Sequence, residues 1–369
     1  QSHRPHQRLQ DAPGGGSMVA AKVEYGRVKL EQMRVQAGKD PDDPLDVGIE
    51  IDGELLQPSE RFWKSFFARF GISQTIFRYY SHAEVFARIA ERSNDSTVRY
   101  CVCRDHQESG RLLGVTRPGK GLITYQAAMD VLGRHEPDYV DFDGDGIITS
   151  EHVPLSGRSW YTIGPDRFAH RYQLRTPIDG YGLPQIHLMV LREVCTNGMV
   201  GYTPAFRSEL AGTADLAFSI DRALASFDNG DGYSAFKERL TMAQASWASV
   251  REANKLYRLI ASLSSSRDLQ SSAALSRFHA VTGDISRLYG LASFESLSSK
   301  QQQTLPCDCR VMDLLNLASE LSTHHATQRG AGKFDVYCGS LLSSQYDLEG
   351  TAEQVPQFAD FFLDRPSLN

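Results

Sequence analysis

Asp141, Asp143 and Asp145 alternate through a short stretch that continues into Gly146, Ile147 and the apolar Ile148. Calcium takes about six to eight oxygens at ~2.3–2.6 Å, and this spacing is how a calcium-binding loop begins. The first, third and fifth positions give side-chain oxygens, the seventh gives a backbone carbonyl, and the glycine at the sixth takes the bend. Those roles fall here to Asp141, Asp143, Asp145, Ile147 and Gly146, with calcium as the expected cofactor. The closing acid is due at the position of His152, so Glu151, one residue early, is the candidate to complete the shell. Pro137 interrupts the incoming helix that an EF-hand would have. A shorter stretch, Asp228-Asn229-Gly230-Asp231-Gly232, misses the spacing by one residue and reads as a turn capping a helix from Ser234.

A second chemistry lies in cations interleaved with rings. Between Arg61 and Tyr80 stand Phe62, Trp63, Lys64, Phe66, Phe67, Arg69, Phe70, Arg78 and Tyr79. Single-stranded nucleic acid is held by this combination of backbone-neutralising charge and stacking surface. The alternative is a helix whose rings face the core and whose cations face water. Arg171 and Arg175 form a further basic row on the face of a strand that also carries Gln173. The nucleic-acid candidates are therefore Arg61, Lys64, Arg69, Arg78, Arg171 and Arg175. With a formal net charge of −6, the whole molecule has no basic field, so any such contact must be a local surface.

Other motifs point to chemistry less directly. Gly114 to Gly121 nearly spells a phosphate-binding P-loop, but Gly121 replaces the hydroxyl residue that should follow Lys120. Cys195 and His187 lack the orienting third group of a nucleophile–base pair, and Thr196-Asn197-Gly198 reads as a turn. The Cys-x-Cys pairs at Cys101/Cys103 and Cys307/Cys309 are closer than zinc spacing requires. A strand at Arg99–Cys103 is expected to send its two thiols apart, leaving buried free cysteines and a reducing, cytoplasmic setting. No apolar run approaches the roughly 20 residues of a membrane span, so no membrane partner is expected.

The elements that must position these groups follow from periodicity. Ser59 to Phe70 has rings four apart, the face of a helix. Ser81 and Glu84 form a capping box for a helix to about Arg92. Val98–Cys103 and Arg111–Val115 read as a strand pair, and Tyr125–Leu132 as a short helix. Tyr161–Ile163, Phe168–Leu174 and Ile186–Val194 read as strands separated by turns. Phe236, Leu240, Ala243, Trp247, Val250, Asn254 and Tyr257 follow a four-three repeat, which predicts one helix packed along a seam, within the chain or against a second copy. Ser262–Ser272 reads as a linker and Val311–His324 as a helix. The expected class is α+β. Residues 1–17 read as a leader or linker, 18–206 as a mixed domain with an antiparallel sheet, 207–350 as mainly helical and 351–369 as a tail.

Three segments resemble one family, the phage/plasmid-like proteins catalogued as domain-of-unknown-function family 932. They are Leu191-Arg192-Glu193-Val194-Cys195-Thr196-Asn197-Gly198-Met199, Arg111-Leu112-Leu113-Gly114-Val115, and the helix from Met312 to His324. The likeness covers roughly residues 60 to 330. It implies a mobile-element protein and transfers no catalytic residues, and the acidic loop is not part of it. With the basic–aromatic stretch, it leads to an expectation: a non-enzymatic homo-oligomer that binds or anneals single-stranded DNA in a host cell. The alternative is a structural protein of a virus-like particle, stabilised by calcium and present in the virion. A third reading is an enzyme built on the P-loop-like segment or Cys195.

Overall fold

The computed structural model describes residues 22–38, 43–92, 96–104, 110–135, 137–142, 144–154, 160–192, 198–200, 207–209, 232–270, 272–283 and 306–349. The chain is α+β, in two compact units. The first is Gln1–Ser150, Leu174–Gln185 and Glu209–Ser219; the second is Glu151–Gln173, Ile186–Ser208 and Ile220–Asn369. The boundary differs from the expected cut at residue 206. Strands between residues 151 and 208 share their core with the later helices, so sequence order does not divide the molecule.

The first unit is built on a six-stranded mixed sheet. Its strands are β1 (Lys22–Lys29), β2 (Arg34–Ala37), β3 (Val47–Ile51), β4 (Glu54–Pro58), β5 (Thr97–Arg104) and β6 (Arg111–Thr116), in the order β1-β5-β6-β4-β3-β2. The β4–β6 pair is parallel; the pairs β1–β5, β5–β6, β2–β3 and β3–β4 are antiparallel. Helices α1 (Glu60–Phe70) and α2 (His82–Arg92) close one face. Phe62, Trp63 and Phe66 of α1 pack there with Val85 and Phe86 of α2 against Ile49, Leu56, Val98, Val102 and Leu112. α1 has the predicted bounds because Ser59 caps it through the Phe62 amide and Gly71 ends it in the left-handed conformation (φ 63°). The Ser81–Glu84 capping box is also present at α2.

The polar-looking stretch after Met18 holds four strands that periodicity did not reveal. A signal was available: Asp52-Gly53, both at positive φ (52° and 83°), makes the two-residue turn between β3 and β4. On the opposite sheet face, Cys101 and Cys103 lie together with Leu113, under Val23, Tyr25 and Phe142. This corrects the expectation that the two thiols part. Side chains two apart on a strand share a face, and both cysteines are buried and outside any disulfide. α3 (Tyr125–Arg134), β7 (Tyr139–Phe142) and β8 (Ile147–His152) follow.

In chain order come β9 (Trp160–Ile163), β10 (Asp166–Pro177), β11 (Gln185–Arg192), β12 (Gly198–Val200) and β13 (Arg207–Glu209). After them stand α4 (Gly232–Ala245), β14 (Trp247–Ser249), α5 (Val250–Ser265), α6 (Ala274–Thr282), β15 (Pro306–Arg310), α7 (Val311–His324) and α8 (Gln328–Leu341). The core of the second unit gathers around α7, whose Val311, Met312, Leu314, Leu315, Leu317, Ala318 and Leu321 are all buried. A helix buried on that many sides is a central one.

The expected seam helix is broken. β14 separates α4 from α5, because Ser249 and Glu252 form a capping box that starts a new helix. Phe236, Leu240 and Ala243 are fully buried within the unit, so their part of the seam is filled by the chain itself and is not offered to a second copy. The first residues of the expected serine-rich linker belong to α5. Glu252 is buried outright: its carboxylate accepts from the Ser249 amide and, at 2.6 Å, from the Tyr346 hydroxyl, while Tyr337 donates to its backbone carbonyl. Among the described residues, no helix is long and apolar enough to cross a membrane.

Candidate nucleic-acid interface

The site is built outward from α1. Ser59 donates to the Leu113 carbonyl and its amide bonds to the Leu112 carbonyl, while Ser65 accepts from the Val115 amide. These buried serines fix the helix along β6, so Arg61 sits at its first turn and Arg69 at its last.

Arg61 is committed inside the protein. Its Nε and Nη2 grip Asp179 at 2.7 and 2.9 Å, and Nη2 also donates to the Tyr181 carbonyl at 2.6 Å. The Asp179 side chain has no solvent exposure. Burial pushes its carboxyl upward and Arg61 pulls it back down. Two glycines make room for it: a Cβ on Gly114 would lie 3.0 Å from the Asp179 Cβ, and one on Gly146 would lie 3.0 Å from Oδ2. Gly146 also adopts φ 115°, which side chains rarely tolerate. Arg61 is thereby corrected from a nucleic-acid candidate to half of a buried ion pair.

The same pairing test sorts the other candidates. Lys64 bridges Glu60 one turn back at 2.9 Å. Arg171 is only 6% exposed, because β10 is covered on both faces from Arg171 to Leu174, and Arg175 is half-buried. The expected basic row is therefore not a surface. Arg78 is exposed at the end of a 3-10 turn, Gln74–Arg78. Arg69 stands over the Phe70 ring and lines an open cleft of about 610 Å³ with Arg117, Pro118, Gly119 and Lys120.

Two further cations, which the sequence reading left out, do not line that cleft but adjoin the Lys120 backbone from the sheet face that carries Cys101. Arg99 of β5 reaches the Lys120 carbonyl and the Thr116 hydroxyl, and pairs in register with Arg27 of β1. Burial lowers the pKa of Arg99 and the facing Arg27 lowers it further, so its main charged neighbour is another cation. Arg99 Nε is buried with no hydrogen-bond partner. Lys120 spends one donor on the Gly180 carbonyl at 2.8 Å. Among the described residues, no carboxylate lies within ion-pair distance of Arg27, Arg99, Arg117 or Lys120. Arg27 lies in a strand that periodicity missed, and its meeting with Arg99 depends on register, which no local pattern encodes.

The P-loop likeness does not become a phosphate cradle. Gly114 is inside β6. At the start of α3, the amides of Tyr125 and Ala127 are already bonded to the Tyr25 hydroxyl and the Thr124 side chain. Cys195 and Asp143 lie outside the described residues, as does most of Asp228–Gly232.

The acidic stretch is a hairpin turn between β7 and β8, flanked by strands where an EF-hand has helices. Asp141 is the third of the four residues of β7, Ile147 opens β8, and Glu151 lies further along β8. Asp145 pairs with Arg111 at 2.5 Å, so a cation at this position has a competitor. His152, at the loop's twelfth position, is buried with its ring stacked on Tyr172 at 4.8 Å and 5°. It belongs to the core and not to a metal shell.

No family model matches the chain, and neither the curated proteins nor the solved structures contain a match.

Proposed function

We propose that the first unit binds a strand of nucleic acid, without catalysis, at the cleft formed by Arg69, Arg117 and Lys120 beside Arg99 and Arg27. One observation carries the reading: Arg99 faces Arg27 across the strand pair, and among the described residues neither they nor Arg117 and Lys120 have a carboxylate within ion-pair distance, in a chain whose net charge is negative. Like charges held together raise each other's energy, and a polyanion relieves that cost. The paired cations elsewhere in the unit give the contrast, since Arg104 is clamped between Glu24 and Glu54. The likeness to phage and plasmid proteins supplies the setting we propose, a mobile element.

A labelled single-stranded oligonucleotide tests this by fluorescence anisotropy in low and raised salt. Four or five phosphate contacts correspond to a slope of log K against log salt of roughly −3. No binding in low salt overturns the reading.

A further inference from the structure

We infer that Tyr79 is a stacking platform which makes the first unit prefer an unpaired strand to a duplex; this rests on the nucleic-acid reading above. The basic–aromatic stretch from Arg61 to Tyr80 is divided by the fold. Its early rings, Phe62, Trp63 and Phe66, are at most 2% exposed and pack against one another, so no base can reach them. Its end is the reverse. Tyr79 is 80% exposed, and among the described residues no ring or cation covers either of its faces.

The backbone beneath the ring is held in position. Tyr79 caps the 3-10 turn, and its amide and that of Tyr80 both bond to the Ile76 carbonyl at 3.1 Å. The backbone that carries the ring is thus set before any ligand arrives. Next to it, Tyr80 carries the Arg88 guanidinium 4.3 Å from its ring centroid, and Arg78 is exposed. Glu84 is the nearby acid; its carboxylate is held by the Ser81 amide and hydroxyl and faces Arg88. Arg78 therefore adds an unopposed cation beside the ring.

The chemistry fits an unpaired strand. Every base has a π-face for an aromatic ring, whereas bases in a duplex are already stacked. Tyr79 lies ten residues after Arg69, a separation of at most about 36 Å even when extended. A single-strand footprint of roughly 4–16 nucleotides covers that reach.

The test measures anisotropy on the full chain with a labelled oligothymidylate and a duplex of equal length. Tyr79→Ala should weaken single-strand binding at least about fivefold and leave duplex binding unchanged. Tyr79→Phe, which keeps the ring, should bind as the parent does. Equal losses on both ligands, or no loss on either, would overturn the platform. Lys120→Ala separates this from the reading beneath it: it should weaken both ligands alike. If it weakens neither, the cleft itself is wrong; if it weakens both while Tyr79→Ala changes nothing, only the platform is wrong.

Discussion

Arg61 and Lys120 both reach the same short segment, and they do opposite work. Arg61 neutralises Asp179 in the interior with two hydrogen bonds and a third to Tyr181. Lys120 touches the Gly180 carbonyl with one donor and keeps its charge at the surface beside Arg117 and Arg99. The difference is in what each charge faces. A cation matched to a buried carboxylate holds the fold, while one whose neighbours are cations is available to an outside anion. Counting basic residues along a sequence cannot distinguish the two.

The largest expected effect is on the buried pair. Arg61→Ala leaves Asp179 enclosed without its partner and should cost about 3–5 kcal/mol in urea denaturation. Adding Asp179→Asn should recover part of the loss, because the orphaned charge is gone. A loss below about 1 kcal/mol for Arg61→Ala would mean that the pair behaves like a surface bridge.

Much of this contrast was hidden for a physical reason. Periodicity located α1, α2, the β5–β6 pair and α7, since each depends on neighbours in sequence or on a cap such as Ser81–Glu84. It could not show that Arg61 meets Asp179, because that contact joins the start of a helix to a loop far along the chain. Nor could it show Arg27 beside Arg99, which needs strand register. Two local signals were present and unread: Asp52-Gly53 for the β3–β4 hairpin, and Ser249 with Glu252 for the break between α4 and α5.

Glu252 sharpens the comparison from the second unit, because it is buried with hydroxyl and amide donors where Asp179 has a bidentate arginine. Burial pushes its carboxyl above the ordinary glutamate range. A folded value above the unfolded one means that its stabilising contribution is complete below about pH 4.3 and is lost as pH rises through the folded value. Glu252→Gln keeps the shape without the charge. It should match the parent near pH 4 and be the more stable of the two at pH 8, by denaturation midpoint. A parent whose midpoint relative to the variant does not change with pH would contradict the assignment.

A smaller effect belongs to the acidic hairpin, where calcium is a separate proposal. The Arg111–Asp145 bridge is half-exposed and worth at most about 1 kcal/mol, so calcium can displace it at little cost. Excess calcium should raise Tm by a few degrees, and Asp145→Asn should remove the gain. An unchanged melting curve in calcium would retire the site.

The most direct test sets unpaired cations against paired ones in the same binding experiment. Arg117→Ala with Lys120→Ala should leave stability within about 0.5 kcal/mol and flatten the salt slope for single-stranded DNA by about 1.4, the share of two phosphate contacts. Lys64→Ala, which removes a cation bridged to Glu60, should leave that slope unchanged. Equal flattening by the two variants, or none by the double variant, would contradict the claim that the unpaired cluster is where this protein meets nucleic acid.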